Sequence, residues 1–84
     1  MKPIRLSGHA RQNLQFRGVT EAEIIETIQS KEWTQAEGGR LECRKNFPFG
    51  KDWNGKIYTT KQVRPIFVDE EKEIVVVTVY AYYF

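Results

Sequence analysis

The sequence predicts an α+β domain in which two N-terminal helices pack on one face of a twisted antiparallel sheet of three to four strands. Three observations predict it. A cap and stop at Ser7/Gly18 and a second cap at Thr20 mark two helical segments in the first 32 residues. The texture changes to strand at Trp33, where Gly- and Pro-punctuated runs of β-branched and aromatic residues begin. The run Ile74 to Phe84 then carries no charge and is almost wholly β-branched or aromatic, as the core strand of a sheet requires.

The elements follow in order. Ser7 is placed to cap a helix from Gly8 to about Arg17, with Leu6 at the hydrophobic staple position before it. Gly18 stops that helix, because glycine accepts the left-handed conformation that follows a last turn. Thr20 opens a second helix, and Glu23 three residues later completes a capping box whose loss costs ~1 kcal/mol. Glu21 and Glu23 suit the positive end of the helix dipole, and Ile24, Ile25 and Ile28 form its apolar stripe before fraying near Ser30 to Glu32. Trp33 to Glu37 reads as a short strand turned at Gly38-Gly39 into Arg40 to Phe47. Pro48 to Asn54 reads as a loop, and a third strand runs from about Lys56 to Arg64. Pro65 lacks an N–H and marks a bulge or an edge, Ile66 to Val68 continue the path, and Asp69 to Lys72 turn the chain. The last strand is placed centrally, paired on both sides, since an exposed edge of this composition templates aggregation.

Alternation then separates two faces. Val75, Val77, Val79 and Ala81 share the side under the helices, as do Leu41, Cys43 and Phe47. Thr78, Tyr80 and Tyr82 share the other with Arg40, Glu42, Arg44 and Asn46, and Tyr58, Thr60, Gln62 and Arg64 fall together on the third strand. This polar second face is the place for chemistry.

Composition bounds the rest. A chain of 84 residues, 40% hydrophobic and 29% charged, is a single folded domain over residues 1–84. One cysteine excludes an internal disulfide framework and suits a reducing compartment, and one Cys with one His cannot make a zinc-finger site. No metal or other cofactor is expected. Residues 1–6 hold no apolar run of signal-peptide length and no stretch reaches membrane-spanning length, so a cytoplasmic protein without membrane partners is expected. The net charge of +2 is uninformative, but its distribution is not. Residues 1–20 hold Lys2, Arg5, Arg11 and Arg17 with no acid, and 21–37 hold five glutamates against Lys31. Residues 40–64 hold seven cations against Glu42 and Asp52, and 69–73 hold four acids against Lys72. If the two basic blocks meet, they make a positive face able to hold phosphates; otherwise they are solvated surface.

The opening Leu6-Ser7-x-His9-Ala10, then Arg17-Gly18-Val19-Thr20-Glu21 before an Ile-rich helix, resembles the family catalogued as domain of unknown function 4258. So does the ending Pro65-Ile66-Phe67-Val68 through Val77-Thr78-Val79-Tyr80. That family is grouped with the barnase–EndoU–colicin–RelE toxin fold. The resemblance implies a RelE-like, metal-independent ribonuclease of toxin type, with RNA or the ribosome as target and an antitoxin protein as partner. The alternative on the same fold is a non-catalytic module binding nucleic acid or protein, and the oligomeric state is left open.

Metal-free RNA cleavage needs proton transfer and a cation to offset charge on the phosphate. Histidine is the side chain whose ordinary pKa lies near neutrality, and His9 is the only one present. The resemblance singles it out together with Arg17. Eight helical residues place the two about 12 Å apart along the axis and roughly 80° around it. Arg17, Arg40, Arg44 and Arg64 are the candidate phosphate-binding cations, because a guanidinium grips phosphate through two parallel bonds. Glu42 and Tyr80 are the other candidate catalytic groups. Each has a plainer role: His9 bonding a helix-start carbonyl, Arg17 facing the helix dipole, Glu42 pairing across strands, Tyr80 packing with a wet tip. Phe49 and Trp53 either stack on RNA bases or cap the core. Cys43 reads as a buried hydrophobe. With helices on one face and arginines on the other, a single site must form along a sheet edge, or only one of the two groups functions.

Overall fold

In the computed structural model, which describes residues 1–84, the chain enters through a strand that no periodicity marks: β1 (Ile4–Leu6). Helices α1 (Gly8–Arg17) and α2 (Glu21–Ser30) follow. Then come β2 (Thr34–Gln35), a 3₁₀ turn at Glu37–Gly39, β3 (Leu41–Glu42), β4 (Lys45–Trp53), β5 (Lys56–Asp69) and β6 (Ile74–Tyr83). The sheet has six strands in the order β1-β6-β5-β3-β2, with β4 also on β5. The expected antiparallel sheet of three to four strands is thereby corrected. The sheet is mixed, because β1 pairs parallel to β6, Ile4 to Leu6 against Ile74 to Val76. β6 does have a neighbour on each side, but β1 covers only its first three residues.

Local chemistry explains the helices. Ser7 Oγ accepts from Ala10 N at 3.1 Å and donates to the Val77 carbonyl at 3.2 Å, so one hydroxyl caps α1 and ties it to β6. Gly18 ends α1 at φ 67°. Thr20 and Glu23 form the reciprocal capping box at 3.1 and 2.9 Å. The helices lie on one face of the sheet. Ala10, Ile24 and Ile28 form the core with Val63, Phe67, Ile74, Val76 and Val79, while Cys43 closes it from the side.

The sheet keeps simple alternation in one part and departs from it in others. β3 and β4 keep one register along β5, Leu41 to Phe67 through Lys45 to Val63, so Cys43 points inward and Glu42 and Arg44 outward as expected. The segment Pro48 to Asn54, expected as a loop, is instead strand up to Trp53. Asn54 and Gly55, at φ 53° and 87°, make the two-residue hairpin turn that suits the strands' right-handed twist. In β6, a bulge sets Ile66 opposite Thr78 but Phe67 opposite Val76, leaving Val77 as the extra residue. The bulge, one residue beyond Pro65, resets the faces. Ile74 and Val76 join Val79 in the core in place of Val75 and Val77. A second correction concerns Tyr58, which joins Tyr83 at 6.1 Å rather than the face of Arg64.

Candidate functional site

Arg64 stands mid-strand on β5 with its side chain on the face away from the helices. Its Nε and Nη2 donate to the two oxygens of Glu42 at 3.1 and 2.6 Å, and Nη1 donates to the Tyr82 hydroxyl at 3.2 Å. These partners come from the two strands that flank β5, and Tyr80 lies directly opposite in the register. The Glu42 side chain is 13% exposed and that of Arg64 24%. Arg64 holds the Glu42 carboxyl below the ordinary carboxylate range, chiefly by hydrogen bonding. Glu42 and then Tyr82 raise the guanidinium pKa in turn. Arg44 stands 3.6 Å from the same carboxylate, so one acid faces two arginines.

A third arginine reaches this face from the helix. The guanidinium carbons of Arg17 and Arg64 each lie 5.4 Å from the centre of the Tyr80 ring. Arg17 is held there by its own backbone: the Tyr83 hydroxyl donates to the Arg17 carbonyl, and Lys61 Nζ donates to the Gly18 carbonyl at 3.0 Å and to Glu23 at 2.9 Å. Between the arginines and the β2–β3 turn lies an open depression of about 650 Å³, walled by Gln35, Glu37 and Arg40 and floored by Glu42, Arg64, Thr78 and Tyr80.

His9 borders the same face. α1 runs beside β6 beyond the end of β1, and its residues at positions 9, 13 and 17 form one stripe. The Asn13 amide donates to Thr78 Oγ1 at 2.7 Å and lies 3.3 Å from His9 Nε2. The helix-borne His9 and Arg17 therefore meet the arginine face along one sheet edge. Arg17 and Arg64 both meet Tyr80, Glu42 joins through Arg64 with Arg44 beside it, Arg40 lines the same depression, and His9 joins through Asn13. Asn13 and Thr78 have no motif of their own; only the i, i+4 spacing from His9 could have pointed to Asn13. Phe49 and Trp53 lie elsewhere, packed on Tyr83 at 5.0 and 4.5 Å on the helix side. Cys43 is 3% exposed, and burial, with Glu42 nearby, pushes its thiol up to about 11.

The charge blocks sort themselves accordingly. Glu21, Glu23 and Glu26 of α2 pair with Arg11, Lys61 and Lys45, while Asp69 and Glu73 pair with Lys2 and Arg5. Arg40, which lines the depression, and Arg17, over the Tyr80 ring, have no acidic partner. The two basic blocks meet at Tyr80. No three His, Cys, Asp or Glu side chains converge as a metal site, and no helix is long and apolar enough to cross a membrane. No family model matches the chain, and no curated protein or solved structure does either.

Proposed function

We propose that the protein is a RelE-like, toxin-type RNA-binding protein that holds a single-stranded phosphodiester backbone on this open face and cleaves it with His9 as the proton-transfer group. The observation that carries the proposal is the convergence of Arg17 and Arg64 on Tyr80. Two guanidinium groups from separate elements meet at one ring; Arg17, with no acidic partner, offers paired donors to phosphate oxygens, and Arg64 adds the N–H groups that Glu42 and Tyr82 leave free. In the cleavage step the 2′-oxygen forms a bond to phosphorus as its proton passes to the His9 ring, the bond to the 5′-oxygen breaks, and the imidazolium so formed returns that proton to the 5′-oxygen. The arginines offset the charge that builds on the phosphate. Glu42, ionised and occupied by Arg64, orients that guanidinium. An antitoxin that covers the face belongs to the same proposal and rests on the family resemblance; a cytoplasmic setting belongs to it too and rests on the single cysteine and the lack of a signal-like apolar run.

A second reading is a non-catalytic RNA-binding module. It is favoured by the commitment of Glu42 to Arg64, which removes the one carboxylate on the floor of the depression from proton transfer and leaves His9 and the Tyr80 hydroxyl. A short end-labelled single-stranded RNA, followed for retarded mobility and for cleavage, separates the readings. Arg17→Ala and Arg64→Ala are expected to weaken binding, and His9→Ala to keep binding and lose cleavage. Bound but intact RNA with the unaltered protein selects the module. Absence of binding overturns both.

A further inference from the structure

Asn13 occupies a place that neither binding nor proton transfer by itself explains. It is half-buried between an exposed histidine and a threonine on the floor of the depression. An amide nitrogen carries two hydrogens. Here one is directed to Thr78 Oγ1 at 2.7 Å and the other to His9 Nε2 at 3.3 Å. A ring nitrogen that accepts a hydrogen bond carries no proton, so the neutral imidazole places its proton on Nδ1.

We propose that Asn13 is a positioning residue that fixes the tautomer of His9 and, through Thr78, couples it to what occupies the open face. In functional terms this rests on the RNA reading above, whereas the tautomer itself does not. The coupling follows from the two roles of a hydroxyl, which both donates and accepts. A phosphate oxygen in the depression takes the Thr78 hydrogen and leaves the Thr78 oxygen to accept from Asn13. The amide then keeps its nitrogen toward both partners, and His9 meets the RNA as a donor through Nδ1–H. Turning the amide over reverses every bond. Its oxygen accepts from the Thr78 hydroxyl and from Nε2–H, and the Nδ1 lone pair is freed. The occupant of the face thus selects between a histidine that presents Nδ1–H as a hydrogen-bond donor and one that presents a bare Nδ1 able to take a proton.

The single histidine makes the test unambiguous. Nitrogen-15 correlation spectra of the ring, taken where the imidazole is neutral, distinguish the protonated from the bare nitrogen. The unaltered protein is expected to carry its proton on Nδ1. Asn13→Asp, nearly the same shape but able only to accept when ionised, is expected to move it to Nε2. Thr78→Val removes the hydroxyl that orients the amide and is expected to give a mixture of the two forms. The backbone amide spectrum reports whether each variant is folded, and Asn13→Leu, which has no hydrogen-bonding group, is a second variant expected to erase the bias. The same tautomer in the unaltered protein and in Asn13→Asp overturns the proposal. A Thr78→Val spectrum identical to that of the unaltered protein overturns the coupling to the face. Loss of RNA binding in a separate assay moves none of these ring signals, so failure of the RNA reading is distinguishable from failure of this one.

Discussion

Replacing Gly18 by alanine tests how the turn between the helices holds Arg17 over the site. A domain of this size has roughly 4–13 kcal/mol of stability at ~0.05–0.15 kcal/mol per residue. Two costs fall on the substitution. Gly18 sits at φ 67°, ψ 34°, where a non-glycine residue costs about 1–2 kcal/mol. The added Cβ would also lie 2.5 and 2.7 Å from Trp53 ring atoms and 2.6 Å from the Tyr83 hydroxyl. Those rings cannot simply swing away. They are stacked at 4.5 Å with an interplanar angle of 19°, and the Tyr83 hydroxyl is committed to the Arg17 carbonyl. Overpacking of this kind costs about 1–3 kcal/mol, giving a total of about 2–5 kcal/mol. Urea unfolding at unchanged m-value measures it. Trp53→Ala removes two of the three close contacts and leaves the one to the Tyr83 hydroxyl, so in that background Gly18→Ala should cost less than in the unaltered protein but still more than the backbone contribution of about 1–2 kcal/mol. An equal cost in both backgrounds, or a cost below 1 kcal/mol in the unaltered protein, would refute the reasoning.

The remaining expectations concern the open face and the core. Because Arg64 depresses the Glu42 pKa, the stability from that carboxylate is complete above the ordinary carboxylate range and is lost as pH falls through the lowered value. Glu42→Gln should therefore lower stability near neutrality by about 1–2 kcal/mol and flatten the acid limb of a melting-temperature profile; an equally steep limb contradicts it. In RNA binding, Arg17→Ala and Arg64→Ala should each reduce the salt slope of log Kd by about 0.7, and an unchanged slope would mean that neither touches phosphate. Cys43, buried with a thiol pushed up to about 11, should resist iodoacetamide until the protein unfolds; alkylation of the native protein at the rate of free cysteine would show the core open at that point.

Short-range chemistry makes part of the fold legible in the chain. The Ser7 and Thr20 caps and the Gly18 stop are local hydrogen-bonding rules, and they placed both helices. The alternation that grouped Glu42, Arg44, Arg64 and Tyr80 is local too, and it held where the register was unbroken. It failed where one inserted residue, Val77, shifted the pairing, because a bulge is a relation between two strands and neither sequence alone displays it. The strand Ile4–Leu6 was invisible for a similar reason: three residues are too few to show a period, and their partner lies at the other end of the chain. Asn54-Gly55 was a legible hairpin signal, obscured by Pro48 and Gly50, which suggested a loop. The site residues were named largely by residue type. The edge that joins His9 to the arginine face depends on β1 stopping at Leu6 and leaving the rest of β6 beside α1.

That same early stop orders the assembly of the molecule in time. β4 meets β5 through the tight Asn54-Gly55 turn, and β5 meets β6 across Glu70–Glu73, so these three strands close over short lengths of chain. β1 must instead find residues 74–76 from positions 4–6, and loop-closure entropy delays contacts of such separation. The hairpins are therefore expected to form the nucleus, with β1 locking the finished sheet last. In stopped-flow measurements Leu6→Ala should mainly hasten unfolding, while Val63→Ala, at the centre of β5, should slow folding; a reversed pattern would place the two chain ends in the nucleus.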